Sequence, residues 1–255
     1  MRSFIPALTL AATAAAELIV MPPITDKGND LAIVWIQGMD CDNAGYEPIA
    51  AEVQNQGYLK GQRIWVGIPE FPLDAPNGDL IDKKVNETLD ELRSQGFTGD
   101  NVVLAGHSAG GAVAQSYATD HADLIKAQVL MGAAITRDHR EINSDGTTKY
   151  NYNVPTLTLG GTKDGMMRIS RIAEAFWHSD VNIEKSQKDL FPVMALEGVS
   201  HMQFSSGKPP IAVKRRDLKP DVPEATAHKM CAENMVSFFS QIIFNHSPEL
   251  NIAQS

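Results

Sequence analysis

The chain has 255 residues, of which 43% are hydrophobic and 21% are charged, the balance of an ordinary globular protein. This length allows one α/β domain or two small ones, and the chain is long enough for a sizeable core. A formal net charge of −9 argues against non-specific binding to nucleic acid or to anionic lipid.

The first segment of the chain has the features of a secretory signal peptide. Residues 1–16 contain one arginine and an apolar stretch, and Ala14 and Ala16 occupy the small positions of an A-x-A cleavage site. The segment is too short to span a bilayer, and no other apolar run approaches transmembrane length. A disordered or buried N-terminal segment is the alternative. We therefore expect a secreted or extracytoplasmic protein whose mature part, residues 17–255, is a single α/β domain.

Apolar, β-rich segments alternate with helical patterns along most of the chain. The predicted strands are Leu31–Ile36, Arg63–Ile68, Val102–Ala105, Ala127–Met131, Pro155–Leu159 and Phe191–Leu196. The predicted helices are Tyr46–Gln56, Leu80–Gln95, Gly111–Thr119, Ile169–His178 and Glu224–Phe244. Most of the strands are near-continuous apolar runs, as expected for strands that are buried on both faces. The alternation predicts a mostly parallel central sheet with helices on both faces and no large lid domain, and it places catalytic groups in the loops at the carboxyl ends of the strands.

A glycine-flanked serine lies between the third predicted strand and the helix that follows it. The residues Gly106-His107-Ser108-Ala109-Gly110 match the pattern G-x-S-x-G in a strand, turn, helix setting. In so tight a turn a Cβ at either glycine would clash with neighbouring backbone. The turn lifts the Ser108 hydroxyl clear of the sheet and directs N–H groups at the start of the helix towards a developing negative charge. A serine that merely caps the helix is the alternative.

A serine hydroxyl becomes a good nucleophile when a base accepts its proton and an acid orients that base. His201 directly follows the last predicted strand, and Asp164 follows the strand before it, after a glycine turn. A side chain that caps the next helix is the alternative role of Asp164. The rival bases and acids have less suitable places in the predicted order: His178, His228, His246, Asp138, Asp145, Asp180 and Asp189.

An oxyanion hole would need a second N–H group besides that of Ala109. The loop after the first predicted strand is the expected source, because Gly38 lets the backbone turn inward there. Met39 is the expected donor, and Asp40 is the alternative.

Together, the turn from Gly106 to Gly110, Asp164, His201 and the Gln37-Gly38 turn resemble the α/β-hydrolase superfamily, over roughly residues 31–244. The order Ser, Asp, His along the chain is the order of that superfamily. Gln37 is a departure, since many members carry a histidine before this glycine. The lid-poor layout resembles dienelactone hydrolases, small carboxylesterases and chlorophyllase-like proteins. The resemblance implies a serine hydrolase that cleaves carboxylic esters through an acyl-enzyme.

The loops beside the catalytic positions are rich in methionine. We assign five residues to a substrate pocket: Asp40, His107, Met166, Met202 and Phe204. Methionine-rich loops favour a small-molecule ester with an apolar group, although core packing explains several of these residues equally well. A basic run either attracts an anionic substrate group or is a solvated loop: Lys208, Lys214, Arg215, Arg216 and Lys219. The sequence has no metal-ligand spacing and no nucleotide-binding loop, so we expect neither a metal nor a cofactor.

Two further alternatives stay open at this point. Cys41 and Cys231 form one disulfide in an oxidising compartment or remain two buried thiols. The protein is an ester hydrolase, an acyltransferase or perhydrolase that uses the same triad, or a binding protein on a hydrolase fold whose chemistry has lapsed.

Overall fold

A computed structural model describes residues 18–142, 148–150, 152–183 and 185–244. The expected signal peptide, residues 1–16, lies outside these ranges, as do Asp145 and His246. Export of the protein therefore stays a prediction.

Strands in the described ranges form one central sheet and one separate hairpin. They are β1 (Ile19–Met21), β2 (Asn29–Ile36), β3 (Gln62–Ile68), β4 (Val102–His107), β5 (Ile125–Met131), β6 (Arg140–Ile142), β7 (Thr148–Tyr150), β8 (Thr156–Gly161) and β9 (Val193–Leu196). The sheet has seven strands in the order β1-β3-β2-β4-β5-β8-β9, and β6 pairs with β7 in the hairpin. Only β1 runs antiparallel to its neighbour in the sheet. The mostly parallel sheet that the alternation predicts is confirmed.

The α-helices cover both faces of the sheet, and the first four of them each connect two of its parallel strands. They are α1 (Glu47–Leu59), α2 (Gly78–Ser94), α3 (Ala109–Asp120), α4 (Ile169–Asn182), α5 (Ile211–Arg216) and α6 (Glu224–Ile242). Within the described part of the chain, no helix is both long enough and apolar enough to cross a membrane.

Strand β2 contributes side chains to two separate cores. Leu31 and Ile33 belong to the core that contains residues of α1 and α6. Ala32 and Val34 belong to the core that contains residues of α2 and α3. All four are fully buried, and burial of each larger side chain contributes roughly 1.5–3 kcal/mol. This two-sided burial explains why the strand is a continuous apolar run rather than an alternating one.

The order of the strands reverses beside β2. The chain passes from β2 to β3 on one side of the sheet and returns to β4 on the other. The loops after β2 and β4 therefore diverge and leave a crevice at the carboxyl ends of these strands, the usual ligand position in open α/β sheets. Ile36 pairs with Gly106, so the loop that starts at Gln37 lies level with the Ser108 turn.

Four short elements were not predicted from the sequence. Strand β1, the hairpin of β6 and β7, and helix α5 are three to six residues long. Segments of this length are too short to display a hydrophobic period, so pattern reasoning does not detect them.

Cys41 and Cys231 are both buried and unpaired. The possible disulfide between them is therefore absent from the structure, which contains the alternative of two buried thiols. Burial raises the pKa of the Cys41 thiol to about 11, and it also raises the pKa of Cys231.

We expect the folded protein to react only slowly with a thiol reagent at about pH 8, because the thiolate is the reacting species and burial disfavours it. After unfolding without reductant, the same reagent should count both cysteines of the chain. A count of zero in the unfolded, unreduced chain that rises after reduction would show that the disulfide forms instead.

Candidate active site

Ser108 lies between β4 and α3 in a backbone conformation that L-residues rarely adopt. Its φ is 52° and its ψ is −121°, and such strain costs about 1–3 kcal/mol and persists only where the surrounding structure imposes it. The Ser108 N–H donates to the Met131 carbonyl at 2.9 Å, which fixes the turn against β5. The side chain makes no hydrogen bond that caps α3. The helix-capping alternative is therefore wrong, and the hydroxyl is left for other chemistry.

Close backbone contacts impose this turn. A Cβ at Gly110 would lie 2.1 Å from the Gln37 carbonyl oxygen, and a Cβ at Gly106 would lie 2.6 Å from the Gly111 Cα. Both distances are far below contact, so the expected requirement for glycine on each side of Ser108 is confirmed. The start of α3 lies directly against the end of β2.

His201 and Asp164 form a buried pair at the same edge of the sheet. The Nδ1 atom of His201 lies 2.7 Å from Oδ2 of Asp164, and both side chains are at most 1% exposed. Because a carboxylate only accepts, Nδ1 is the nitrogen that carries the hydrogen. Nε2 then keeps a lone pair that can accept a proton. In the part of the chain that the structure describes, Nε2 has no hydrogen-bond partner.

The second carboxylate oxygen of Asp164 fixes the side chain. Oδ1 accepts the N–H groups of Met166 at 2.8 Å and Met167 at 2.6 Å. Helix α4 begins only at Ile169 and has no side-chain cap. The alternative role of Asp164 as a helix cap is therefore wrong, and the two N–H groups leave Oδ2 to face His201.

Gly132, which the sequence analysis missed, lies against this pair. Its φ is +54°, and a Cβ there would lie 2.9 Å from His201 Nδ1 and 3.2 Å from Asp164 Oδ2. Gly132 directly follows β5. His201 and Asp164 were selected because each follows a strand, and the same criterion would also have selected Gly132.

The loop after β2 leaves one N–H group free between two that are engaged. Gly38 donates its N–H to the Tyr46 hydroxyl at 2.7 Å, and Asp40 donates its N–H to the Asp74 carbonyl at 2.8 Å. The N–H groups of Met39 and Ala109 have no acceptor among the described residues. Because its N–H is already bonded, Asp40 does not serve as the alternative oxyanion donor.

Many superfamily members have a histidine at the position of Gln37. In this chain the Gln37 side chain links two loops through hydrogen bonds. Its buried side chain donates through Nε2 to the Cys41 carbonyl at 2.8 Å and to Asp74 Oδ1 at 3.1 Å. The loop after β2 is therefore held to the segment after β3 by a side chain as well as by the backbone.

Two of the five residues assigned to the substrate pocket are buried instead. Phe204 is 0% exposed and His107 is 1% exposed, so neither lines an accessible surface and their assignment is wrong. His107 forms a 2.9 Å hydrogen bond to the Tyr46 hydroxyl, and its ring centroid lies 4.7 Å from that of His201. The residue next to a nucleophile need not face the substrate, because alternate positions of a strand point to opposite faces of the sheet.

The other three assigned residues retain some exposure. Asp40 is exposed, while Met166 and Met202 are half-buried. Met202 lines a cavity of about 480 Å³ together with Ser200 and Val213. Since Ser108 is not among the residues that line it, we do not take this cavity as the catalytic pocket.

With this geometry in place, comparisons identify the class of protein. The sequence model of the alpha/beta hydrolase family matches residues 32–208. The chain belongs to this family, because the match spans more than half of its length. A comparison with curated proteins finds no match.

Solved structures show the same fold at low sequence identity. Est1E from Butyrivibrio proteoclasticus is 14% identical with a TM-score of 0.54, over 88% of this chain and 94% of that one. The esterase domain of a Rhodothermus marinus protein is 12% identical with a TM-score of 0.52, over 87% and 91%. A monoacylglycerol lipase from Paleococcus ferrophilus is 14% identical with a TM-score of 0.51, over 88% and 100%.

We expect Gly132→Ala to destabilise the protein more than Gly61→Ala. Both glycines have a positive φ, but a Cβ at Gly61 meets nothing within 4 Å, whereas at Gly132 it meets His201 and Asp164. Each variant should lose about 1–2 kcal/mol to backbone strain, and Gly132→Ala a further 1–3 kcal/mol to overpacking. Urea unfolding measures both losses. Equal losses would show that the contact with the His201–Asp164 pair is easily relieved.

The buried His107 should make the stability of the folded protein depend on pH. Burial, with a smaller effect from His201, lowers the pKa of His107 well below its ordinary value of 6.5. Below about pH 6.5 the unfolded chain binds a proton that the folded chain does not, so stability falls by about 1.4 kcal/mol per pH unit. The loss between pH 7 and pH 5 should be roughly 2 kcal/mol from this group.

His107→Asn is the test of that contribution, because asparagine keeps an acceptor for Tyr46 but does not titrate. Burial also lowers the pKa values of His139 and His228, which adds a loss of the same sign in both proteins. The difference in slope between wild type and variant, from urea unfolding at pH 7 and pH 5, isolates His107. Identical slopes would contradict the prediction.

Proposed function

We propose that the protein is a serine hydrolase of carboxylic esters, with Ser108 as the nucleophile, His201 as the base and Asp164 as the acid. The observation that carries the proposal is the buried His201–Asp164 hydrogen bond of 2.7 Å, which leaves Nε2 of His201 unpaired among the described residues. The base also lies beside the serine turn, since its ring packs on that of His107.

In the proposed reaction, Ser108 Oγ bonds to the ester carbonyl carbon while its proton passes to His201 Nε2. The tetrahedral intermediate collapses, the ester C–O bond breaks, and His201 returns the proton to the leaving alcohol. A water molecule then repeats both steps on the acyl-enzyme and releases the acid. Asp164 stabilises the imidazolium that forms in each half of the reaction.

The N–H groups of Met39 and Ala109 are the proposed donors to the oxyanion. Their support is that both are free of other acceptors in the described residues, whereas the N–H groups of Gly38 and Asp40 are bonded. The hydrogen bonds of Gly38 and Asp40 hold the loop, so that the Met39 N–H needs little reorganisation during reaction. One such donor contributes about 3 kcal/mol to lowering the barrier.

Apolar side chains beside the oxyanion loop favour an ester with an apolar group. Met39 is 45% exposed and Leu73 is 91% exposed. The segment that contains Leu73 is tied to the oxyanion loop by the 2.8 Å bond from Asp40 N–H to the Asp74 carbonyl. Leu73 also has a positive φ of 59°, a strain that tends to persist at functional positions. The similar structures named as an esterase domain and a monoacylglycerol lipase favour the same substrate class.

We expect a fluorophosphonate probe to label wild-type protein at Ser108, and Ser108→Ala to lose both labelling and ester hydrolysis. Turnover of p-nitrophenyl esters should fall by about 10⁴-fold or more, because removal of the nucleophile leaves only binding and oxyanion stabilisation. Ser116→Ala is the matched control, since Ser116 is an exposed serine of the same helix α3.

The outcomes separate the three functional classes. Labelling with hydrolysis that varies over a graded series of acyl chain lengths supports the esterase and reports the size of the apolar site. Labelling with faster transfer to an added alcohol or peroxide would indicate an acyltransferase or perhydrolase. A folded wild-type protein that is not labelled would favour a binding protein and would refute the proposed triad.

A further inference from the structure

We propose that Asp217 is a positioning residue that holds the acid and the base of the site in register. The inference deepens the proposed function and rests on it. Two segments are involved, the acid loop (residues 162–167) and the base loop (residues 199–204), which follow β8 and β9 respectively.

The carboxylate of Asp217 bonds to both loops at once. Its Oδ1 accepts the N–H groups of Gly165 and His201, each at 3.0 Å, and its Oδ2 accepts the N–H of Met202 at 3.0 Å. Hydrogen bonds to an ionised acceptor are roughly twice as strong as neutral ones. The Asp217 side chain therefore bonds to Gly165, the residue after the proposed acid, and to the backbone of His201, the proposed base.

The backbone around Asp217 fits closely against the acid loop. A Cβ at Gly165 would lie 1.8 Å from the Arg216 carbonyl oxygen. The N–H of Leu218 donates to the Lys163 carbonyl at 3.2 Å. The Asp217 segment thus contacts the acid loop on both sides of Asp164.

A cavity borders the base loop and Asp217. The cavity of about 480 Å³ is lined by Ser200, Met202 and Asp217 among others. The hydrogen bonds to Asp217 oppose a shift of His201 and Met202 into this space, in addition to the 2.7 Å bond from Gln203 Nε2 to the Val222 carbonyl. A misplacement of about 1 Å in an active site can cost about 100-fold in rate.

Three variants test the role. Asp217→Ala removes all three acceptor bonds. Asp217→Asn keeps the shape and one acceptor oxygen, but its amide nitrogen cannot accept the N–H of Met202. Asp221→Ala is the matched control, because the Asp221 carboxylate also reaches the acid loop, through Lys163 at 2.9 Å, but is 58% exposed and bonds to neither catalytic residue.

We expect kcat for an activated ester to fall by about 100-fold in Asp217→Ala and about tenfold in Asp217→Asn, with KM changed by less than about threefold. Asp221→Ala should retain kcat within about twofold. The downfield proton NMR signal of the His201 Nδ1–H, which reports the bond to Asp164, should be lost or shifted in Asp217→Ala and kept in Asp221→Ala.

The outcomes distinguish this inference from the proposed function. Wild-type protein that is folded but neither hydrolyses esters nor reacts with the fluorophosphonate probe would overturn the proposed function. Active wild-type protein, with Asp217→Ala that keeps its kcat, its labelling rate and its NMR signal, would overturn the role of Asp217 alone. If Asp217→Ala fails to fold, the same three measurements are made on the isosteric variant Asp217→Asn. Wild-type values of kcat, labelling rate and NMR signal in that variant would overturn the role of Asp217.

Discussion

The site depends on the close contact between the start of α3 and the end of β2. Gly110 lies so near the carbonyl groups of Ile36 and Gln37 that no side chain fits between them. This contact forces Ser108 into its positive φ and brings the first N–H groups of α3 beside the loop after β2. Strand pairing then places the remaining groups, because β5, β8 and β9 follow β4 in the sheet and end at the same edge.

Polar side chains that bond to the backbone help to hold the loops at this edge. Tyr46 accepts the Gly38 N–H, Gln37 donates to the Cys41 carbonyl, and Asp217 accepts N–H groups of the acid loop and the base loop. A buried N–H or C=O group without a partner costs about 1–3 kcal/mol. The conformation of these loops therefore depends on partners for their backbone N–H and C=O groups as well as on the burial of side chains such as Phe204.

The positions of the proposed nucleophile, acid and base were predictable from the sequence, whereas the side chains that bond to the backbone of their loops were not. Ser108, Asp164 and His201 each follow a strand in a recognisable order, and the continuous apolar runs located those strands. Asp217 and Tyr46 bond to main-chain N–H groups far away in sequence, and no spacing between residues encodes such a contact. His107 was misassigned because the turn motif does not say which side of the sheet its second residue faces.

The burial of His107 also matters for the proposed chemistry. In each half of the reaction His201 becomes positively charged, and the His107 ring lies only 4.7 Å from it. Two positive charges at that separation would repel by roughly 3–4 kcal/mol at an effective dielectric constant near 20. Burial lowers the pKa of His107 and keeps this ring neutral. The packing that removes His107 from the substrate pocket therefore also prevents it from repelling the His201 imidazolium. Asp164 then remains the charged partner that His201 contacts directly.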